Sequence, residues 1–206
     1  MPRTPEQNNQ IRQQRKNQIL GAAFEVYTEK GFQSMEMGDV AQKADIGRGT
    51  LYHYYKNKTM LMRDVFALKL EEAKITAAKT LSTDQKPIIR LESFFRQELI
   101  AHLHHPLRYR FFKYFFEDVH EVYADSAEKV LQDFETNNYQ PLMTTFQQAI
   151  DDGTIKAMNP TRLTQLFWGA FIGMPAYIDN SDFLQNPQEW IEDAMTILFD
   201  GIKKHT

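Results

Sequence analysis

A chain of 206 residues with 42% hydrophobic and 25% charged residues has a globular composition, which excludes a disordered or fibrous protein. It holds no cysteine, so disulfide scaffolds, thiolate zinc sites and cysteine nucleophiles are excluded together. The net charge of −3 is unevenly spread: residues 1–58 carry 9 Lys+Arg against 6 Asp+Glu, and residues 59–206 carry 15 against 21, a basic head on an acidic body.

The opening MPRTPEQNNQIRQQRK lacks the apolar run of a secretory signal. Residues 1–11, with Pro2, Pro5 and a Gln/Asn cluster, read as a disordered arm. From Arg12 the pattern turns helical, with Ile19, Ala22, Ala23, Val26 and Tyr27 on one stripe and Gly31 as a stop. A short segment from Met37 to Ala44 follows, then Gly47-Arg48-Gly49 and a third short helix through Leu51 to Tyr55. A longer helix starts near Lys58 and carries Leu61, Val65, Leu68 and Ala73.

Pro87 sits well in the first turn of a helix reaching about Leu103, and Pro106 opens an aromatic segment, Phe111 to Phe116. Residues 124–150 form an amphipathic stretch with a bend expected near Pro141, whose missing amide interrupts the helical ladder. Asp151-Asp152-Gly153 ends it. Asn159-Pro160 starts a helix through about Tyr177, and Asn186-Pro187 starts the last, through about Lys203. No period-2 strand and no internal repeat is found. The expected fold is all-α with about nine helices: an N-terminal helix-turn-helix domain over 12–58, and a larger helical domain over 59–206.

The longest apolar stretch, Leu163 to Ile178, contains Thr164 and Gln165 and is shorter than the roughly 20 residues a bilayer needs. No membrane partner is expected, and a cytoplasmic location is.

Two short helices joined by a tight turn and supported by a preceding helix form the helix-turn-helix arrangement, whose second helix enters the DNA major groove. Leu51 and Tyr55, four apart, face inward against Val40, Ala41 and Ala44, leaving Arg48, Tyr52 and His53 outward with Thr50 near the edge. Gly49 has no side chain and permits close approach to DNA. Arg48 suits bidentate pairing with guanine, the commonest specific contact. Lys56 and Lys58 stand at the next helix start, where a phosphate also meets free amides.

At these residues the chain resembles a known family. Ile19…Ala22-Ala23…Gly31-Phe32…Asp39-Val40-Ala41…Ala44-Asp45-Ile46-Gly47-Arg48-Gly49-Thr50-Leu51-Tyr52-His53-Tyr54-Tyr55-Lys56-Asn57-Lys58…Leu61 is similar to the DNA-binding domain of the TetR family of transcriptional regulators. The likeness covers roughly residues 12–65. It implies DNA contacts at Arg48, Thr50, Tyr52, His53 and Tyr54, and a phosphate contact at Lys58. One departure is Ser34-Met35-Glu36-Met37, where the family usually opens its second helix with Thr or Ser: Glu36 can cap a helix but repels phosphate.

The resemblance further implies a ligand-binding and dimerisation domain beyond residue 65, a homodimer, a double-stranded DNA operator and a small-molecule effector. Phe111, Phe115, Phe116, Phe134, Phe146, Phe167, Trp168 and Phe171 are the candidate lining of an apolar or aromatic effector site, with ordinary core packing as the competing reading for each ring. Leu163, Leu166, Phe167, Ala170 and Met174, with Gly169 and Gly173, form one candidate dimer stripe; Trp190, Ile191, Ala194, Ile197 and Leu198 form a second. No cofactor is expected. His102, His104 and His105 meet no metal-ligand spacing, and no phosphate loop or catalytic set is present, so the chain is not expected to be an enzyme. The rival reading is a ligand-binding or interaction protein of the same fold without specific DNA binding.

Overall fold

The computed structural model describes residues 4–104, 108–173 and 186–203. Helix α1, Pro5–Ser34, begins on Thr4, whose hydroxyl accepts the Gln7 amide at 3.3 Å while Gln7 Oε1 accepts the Thr4 amide at 3.0 Å. This reciprocal cap, with Pro5 in the first turn, starts the helix seven residues before Arg12. The expected disordered arm is corrected accordingly: from Pro5 it is the first turns of α1, extended by Gln13 donating to Asn17 and Arg15 donating to Gln18. Gly31, at φ 74°, adopts a conformation that side chains resist and breaks the helix as expected; a short helical segment follows it to Ser34.

The remaining helices are α2 (Met37–Lys43), α3 (Arg48–Tyr54), α4 (Lys58–Leu81), α5 (Pro87–His104), α6 (Arg108–Tyr123), α7 (Ala127–Phe134), α8 (Gln140–Asp151), α9 (Pro160–Gly173) and α10 (Pro187–Asp200). A 3-10 turn at Ala124–Ser126 joins α6 to α7. A π-helical turn, Glu135–Tyr139, joins α7 to α8 just ahead of Pro141, which lacks the amide that would continue the regular ladder. Asn159 Oδ1 accepts the Arg162 amide at 3.0 Å and starts α9. Among the described residues the fold is all-α; the one β feature is an isolated antiparallel bridge, Ile155 to Lys203.

The chain forms two compact units. The first joins the residues up to Lys69 with Arg110–Ala127. The helices within residues 12–58 share their core with later segments of the chain. Leu61, Met62, Val65 and Phe66 of α4 and Phe111, Phe115, Val119 and Val122 of α6 complete it, each at most 1% exposed. Tyr27 of α1 meets the Phe66 ring edge-on at 5.3 Å, and Phe66 meets Phe115 at 5.3 Å and Phe111 at 5.5 Å. Polar ties lie around that core. The Tyr27 hydroxyl donates to Asp118 at 3.0 Å, Arg63 Nε donates to the Val122 carbonyl at 2.8 Å, and the Tyr123 hydroxyl donates to the Arg63 carbonyl at 3.0 Å.

The second unit runs over 70–109 and from Glu128 onward. Its core gathers Leu91, Phe95 and Leu99 of α5, Leu142 and Phe146 of α8, Leu163 and Phe167 of α9, and Ile191 and Phe199 of α10. Phe167 is central: its ring lies 4.9 Å from Phe95, 5.0 Å from Phe146 and 5.3 Å from Phe199. Arg96 pairs with Glu192, and Lys203 with Glu92 at 2.9 Å, on its surface.

Candidate nucleic-acid interface

The interface begins with how α2 and α3 are locked. Asp39 accepts the Glu36 amide at 3.1 Å and so caps α2, while its other bond is an ion pair with Lys30 at 2.7 Å. Those two donors hold the Asp39 carboxyl below its ordinary range. At the far end, the Ile46 amide reaches back to the Ala41 carbonyl at 3.0 Å, and Gln18 of α1 donates to the Ala44 carbonyl at 2.6 Å. Between them Asp45 turns the chain at φ 48°. Val40, Ala41 and Ala44 are buried, and so are Leu51 and Tyr55 on the inner face of α3, as their spacing predicts. The Tyr55 hydroxyl donates to Asp64 at 2.9 Å, and Lys16 pairs with the same carboxylate at 2.8 Å, tying α3 to α4 and α1. Burial and Asp64 push the Tyr55 phenol pKa up, so it stays a donor.

The opposite face of α3 is open. Arg48, Gly49, Thr50, Tyr52 and His53 are exposed, Tyr52 by 51%. Tyr54 is half-buried, with its ring edge-to-face with His53 at 5.7 Å. A Cβ on Gly49 would meet nothing within 4 Å, so the start of α3 offers clear backbone. Lys56 is exposed and, with Met35, Glu36, Met37, Gly38, Arg48, Tyr52, Asn57 and Lys58, lines a cleft of about 430 Å³.

The Lys58 ammonium donates to the carbonyls of Phe32 at 2.7 Å, Gln33 at 3.2 Å and Met35 at 3.5 Å, and it lies 4.5 Å over the Phe32 ring. A lysine has three N–H donors, and here all three face the carbonyls left open where α1 ends. In the structure this side chain fastens α4 to the end of α1. The neighbouring Asn57 was missed, although an Asn just before a helical run is a start signal; its Oδ1 accepts the Met60 amide at 2.9 Å.

The eight aromatic residues proposed to line an effector site are divided between the two units. Phe111 and Phe115 are core of the first unit, around Phe66, and Phe116 of the same helix is 39% exposed. Phe146 and Phe167 are core of the second. Trp168, which packs against that core, lies 5.6 Å from Phe134 and 5.7 Å from Phe171, beside the π-helical turn. The candidate dimer stripes also divide. Leu163, Phe167, Ile191 and Ala194 turn into the core, while Leu166 at 66% and Ile197 at 77% face outward, with Gly169 and Gly173 exposed along α9. Met174 and His105, and the side chains of His102 and His104, lie outside the described residues. Among the described residues no helix is long and apolar enough to cross a membrane.

Comparison with known proteins agrees with this geometry. The family model described as bacterial regulatory proteins, tetR family, matches residues 19–65. The uncharacterized HTH-type transcriptional regulator YhgD of Bacillus subtilis (strain 168) is 27% identical over 164 residues, 80% of this chain and 81% of that protein. The ketosteroid transcriptional regulator KstR2 of Mycobacterium tuberculosis has a similar fold, with a TM-score of 0.78 at 16% identity over 93% of this chain and 96% of that one. So has AibR in complex with isovaleryl coenzyme A and operator DNA, with a TM-score of 0.73 at 17% identity over 90% and 98%. Residues 19–65 are thus similar to the DNA-binding domain of bacterial regulatory proteins of the tetR family, and the chain as a whole shares the fold of solved regulators of that kind.

Proposed function

We propose that the chain is a cytoplasmic, homodimeric transcriptional repressor that binds a palindromic operator and is released by a small apolar or aromatic effector. The observation that carries the DNA half is the exposed face of α3: Arg48, Thr50, Tyr52 and His53 stand outward on a helix whose Leu51 and Tyr55 are buried. In this reading Arg48 contacts a base, Lys56 and the first free amides of α4 contact phosphate, and Lys58 holds the helix that presents them. A helix-turn-helix reads half-sites one turn apart, which two-fold symmetry supplies, and Leu166 with Ile197 is the apolar surface open to a second copy.

For the effector, the candidate lining is the ring group of Phe134, Trp168 and Phe171 at the margin of the second unit's core. AibR, which has a similar fold, is seen with isovaleryl coenzyme A, a ligand whose acyl group is apolar. Release requires the effector to bind the free protein and the DNA-bound protein with different affinity.

The test is a footprint of the purified protein on duplex DNA flanking its own gene, across a salt series. A protected pseudo-palindrome whose affinity falls steeply with salt is the expected result. Arg48→Ala then weakens operator binding by about 1–3 kcal/mol and relaxes one base preference. An equal loss on every sequence would make Arg48 a phosphate contact. Binding that is absent at all salt concentrations, with an effector still bound, favours the rival ligand-binding reading.

A further inference from the structure

Gly38 occupies the second position of the seven-residue helix α2, where glycine is a poor choice by helix propensity. Its environment explains the choice. A Cβ built there would stand 2.6 Å from Nη2 of Arg48, 3.1 Å from its Cζ and 3.2 Å from its Nε. The guanidinium of α3 therefore rests on bare backbone at the start of α2, in a space that any other residue would fill. The next residue, Asp39, is fixed by Lys30 and by the Glu36 amide, and the positive charge of Arg48 adds a small pull on its carboxylate. Arg48 is nonetheless exposed, held on one side and open on the other. The clash would be with the far end of a flexible side chain, so alanine at 38 moves the guanidinium without disturbing the fold.

From this contact we infer that Gly38 is a specificity-determining residue, one that touches no base itself but sets the direction from which Arg48 meets DNA. A planar guanidinium pairs with a guanine edge through two parallel hydrogen bonds, so its recognition depends on orientation in a way that a point charge does not. A small displacement of Arg48 thus weakens discrimination between bases more than overall attraction to the duplex. The inference rests on the base-contacting role proposed for Arg48.

The experiment uses the full-length protein and the duplex recovered by selection from a random-sequence pool, together with its single-base variants. Gly38→Ala is expected to lower the preference for the selected base pair at Arg48's position at least tenfold. Its melting temperature stays at or rises slightly above the wild-type value, as the better helix former predicts, and the slope of affinity against salt is unchanged. Gly38→Ala combined with Arg48→Ala is expected to match Arg48→Ala alone, since the glycine acts only through the arginine. Discrimination unchanged in Gly38→Ala, or losses that add in the double variant, would overturn the inference.

A second readout needs no DNA. The Nε–Hε resonance of Arg48, assigned by its disappearance in Arg48→Ala, should shift in Gly38→Ala. A shifted resonance in a protein that selects no sequence would sink the DNA reading and spare the contact. An unshifted resonance in a protein that does select one would sink the inference alone.

Discussion

The two compact units are both built on aromatic rings, but they use them differently. In the first, the aromatic core is edged with directional bonds: Tyr27 to Asp118, Tyr55 to Asp64, Tyr123 to the Arg63 carbonyl, and Lys58 to three carbonyls of α1. In the second, the rings at the centre are phenylalanines, Phe95, Phe146, Phe167 and Phe199, which pack by shape alone. A hydroxyl bonded to a fixed partner adds a directional constraint between helices beyond what side-chain packing supplies. Rigid presentation suits α3, whose outward side chains must meet base edges at hydrogen-bond distance.

The largest test of this contrast is truncation at the centre of each core. Phe66→Ala and Phe167→Ala are each expected to cost about 3–5 kcal/mol, followed by chemical denaturation. If the units are separate cooperative bodies, each variant shifts its own transition. One shared transition for both variants would break the comparison.

Next is Lys58→Met, which keeps the aliphatic stem and removes the donors. Loss of charged hydrogen bonds to the end of α1 should cost about 1.5–3 kcal/mol in thermal denaturation. Unchanged stability with a salt slope lower by about one would instead support the phosphate role.

Tyr27→Phe is expected to cost about 1–2 kcal/mol at neutral pH, because Asp118 is left with one fewer donor. The cost should depend on pH. Burial already raises the Asp118 carboxyl above its ordinary 3.8, against the lowering effect of the Tyr27 hydroxyl and the Phe32 amide. A raised folded value means that Asp118 favours folding below 3.8, an advantage that is lost as pH rises through the folded value. Removing Tyr27's hydroxyl raises that value further, so the variant and wild type converge in acid and separate toward neutral pH. A cost independent of pH would show that the bond does not involve the charged carboxylate.

The smallest effect concerns the turn that sets α3. Asp45 at φ 48° is strained for a residue with a side chain, and Asp45→Gly should stabilise the first unit by about 0.5–1 kcal/mol in the same melts. Destabilisation would mean that the Asp45 side chain contributes more than its backbone costs.

What the sequence determined by itself is the helical order and the inward–outward division of α3. Helical period and punctuation by Pro, Gly and Asn are local, and Leu51 and Tyr55 four residues apart can only share one face. The early start of α1 was also local, in the reciprocal Thr4–Gln7 cap, and was obscured by a polar composition that resembles a disordered arm. Tertiary structure alone decided which polar and aromatic side chains are free. Lys58 finds its carbonyls 23 to 26 positions earlier, and Gly38 is shaped by an arginine ten residues later on another helix. The rings of α6 joined the core around Phe66 because three short helices leave apolar surface that a fourth and a sixth must cover. Residue type sets what a side chain can bond, but only the fold brings it within 3 Å of one partner rather than another.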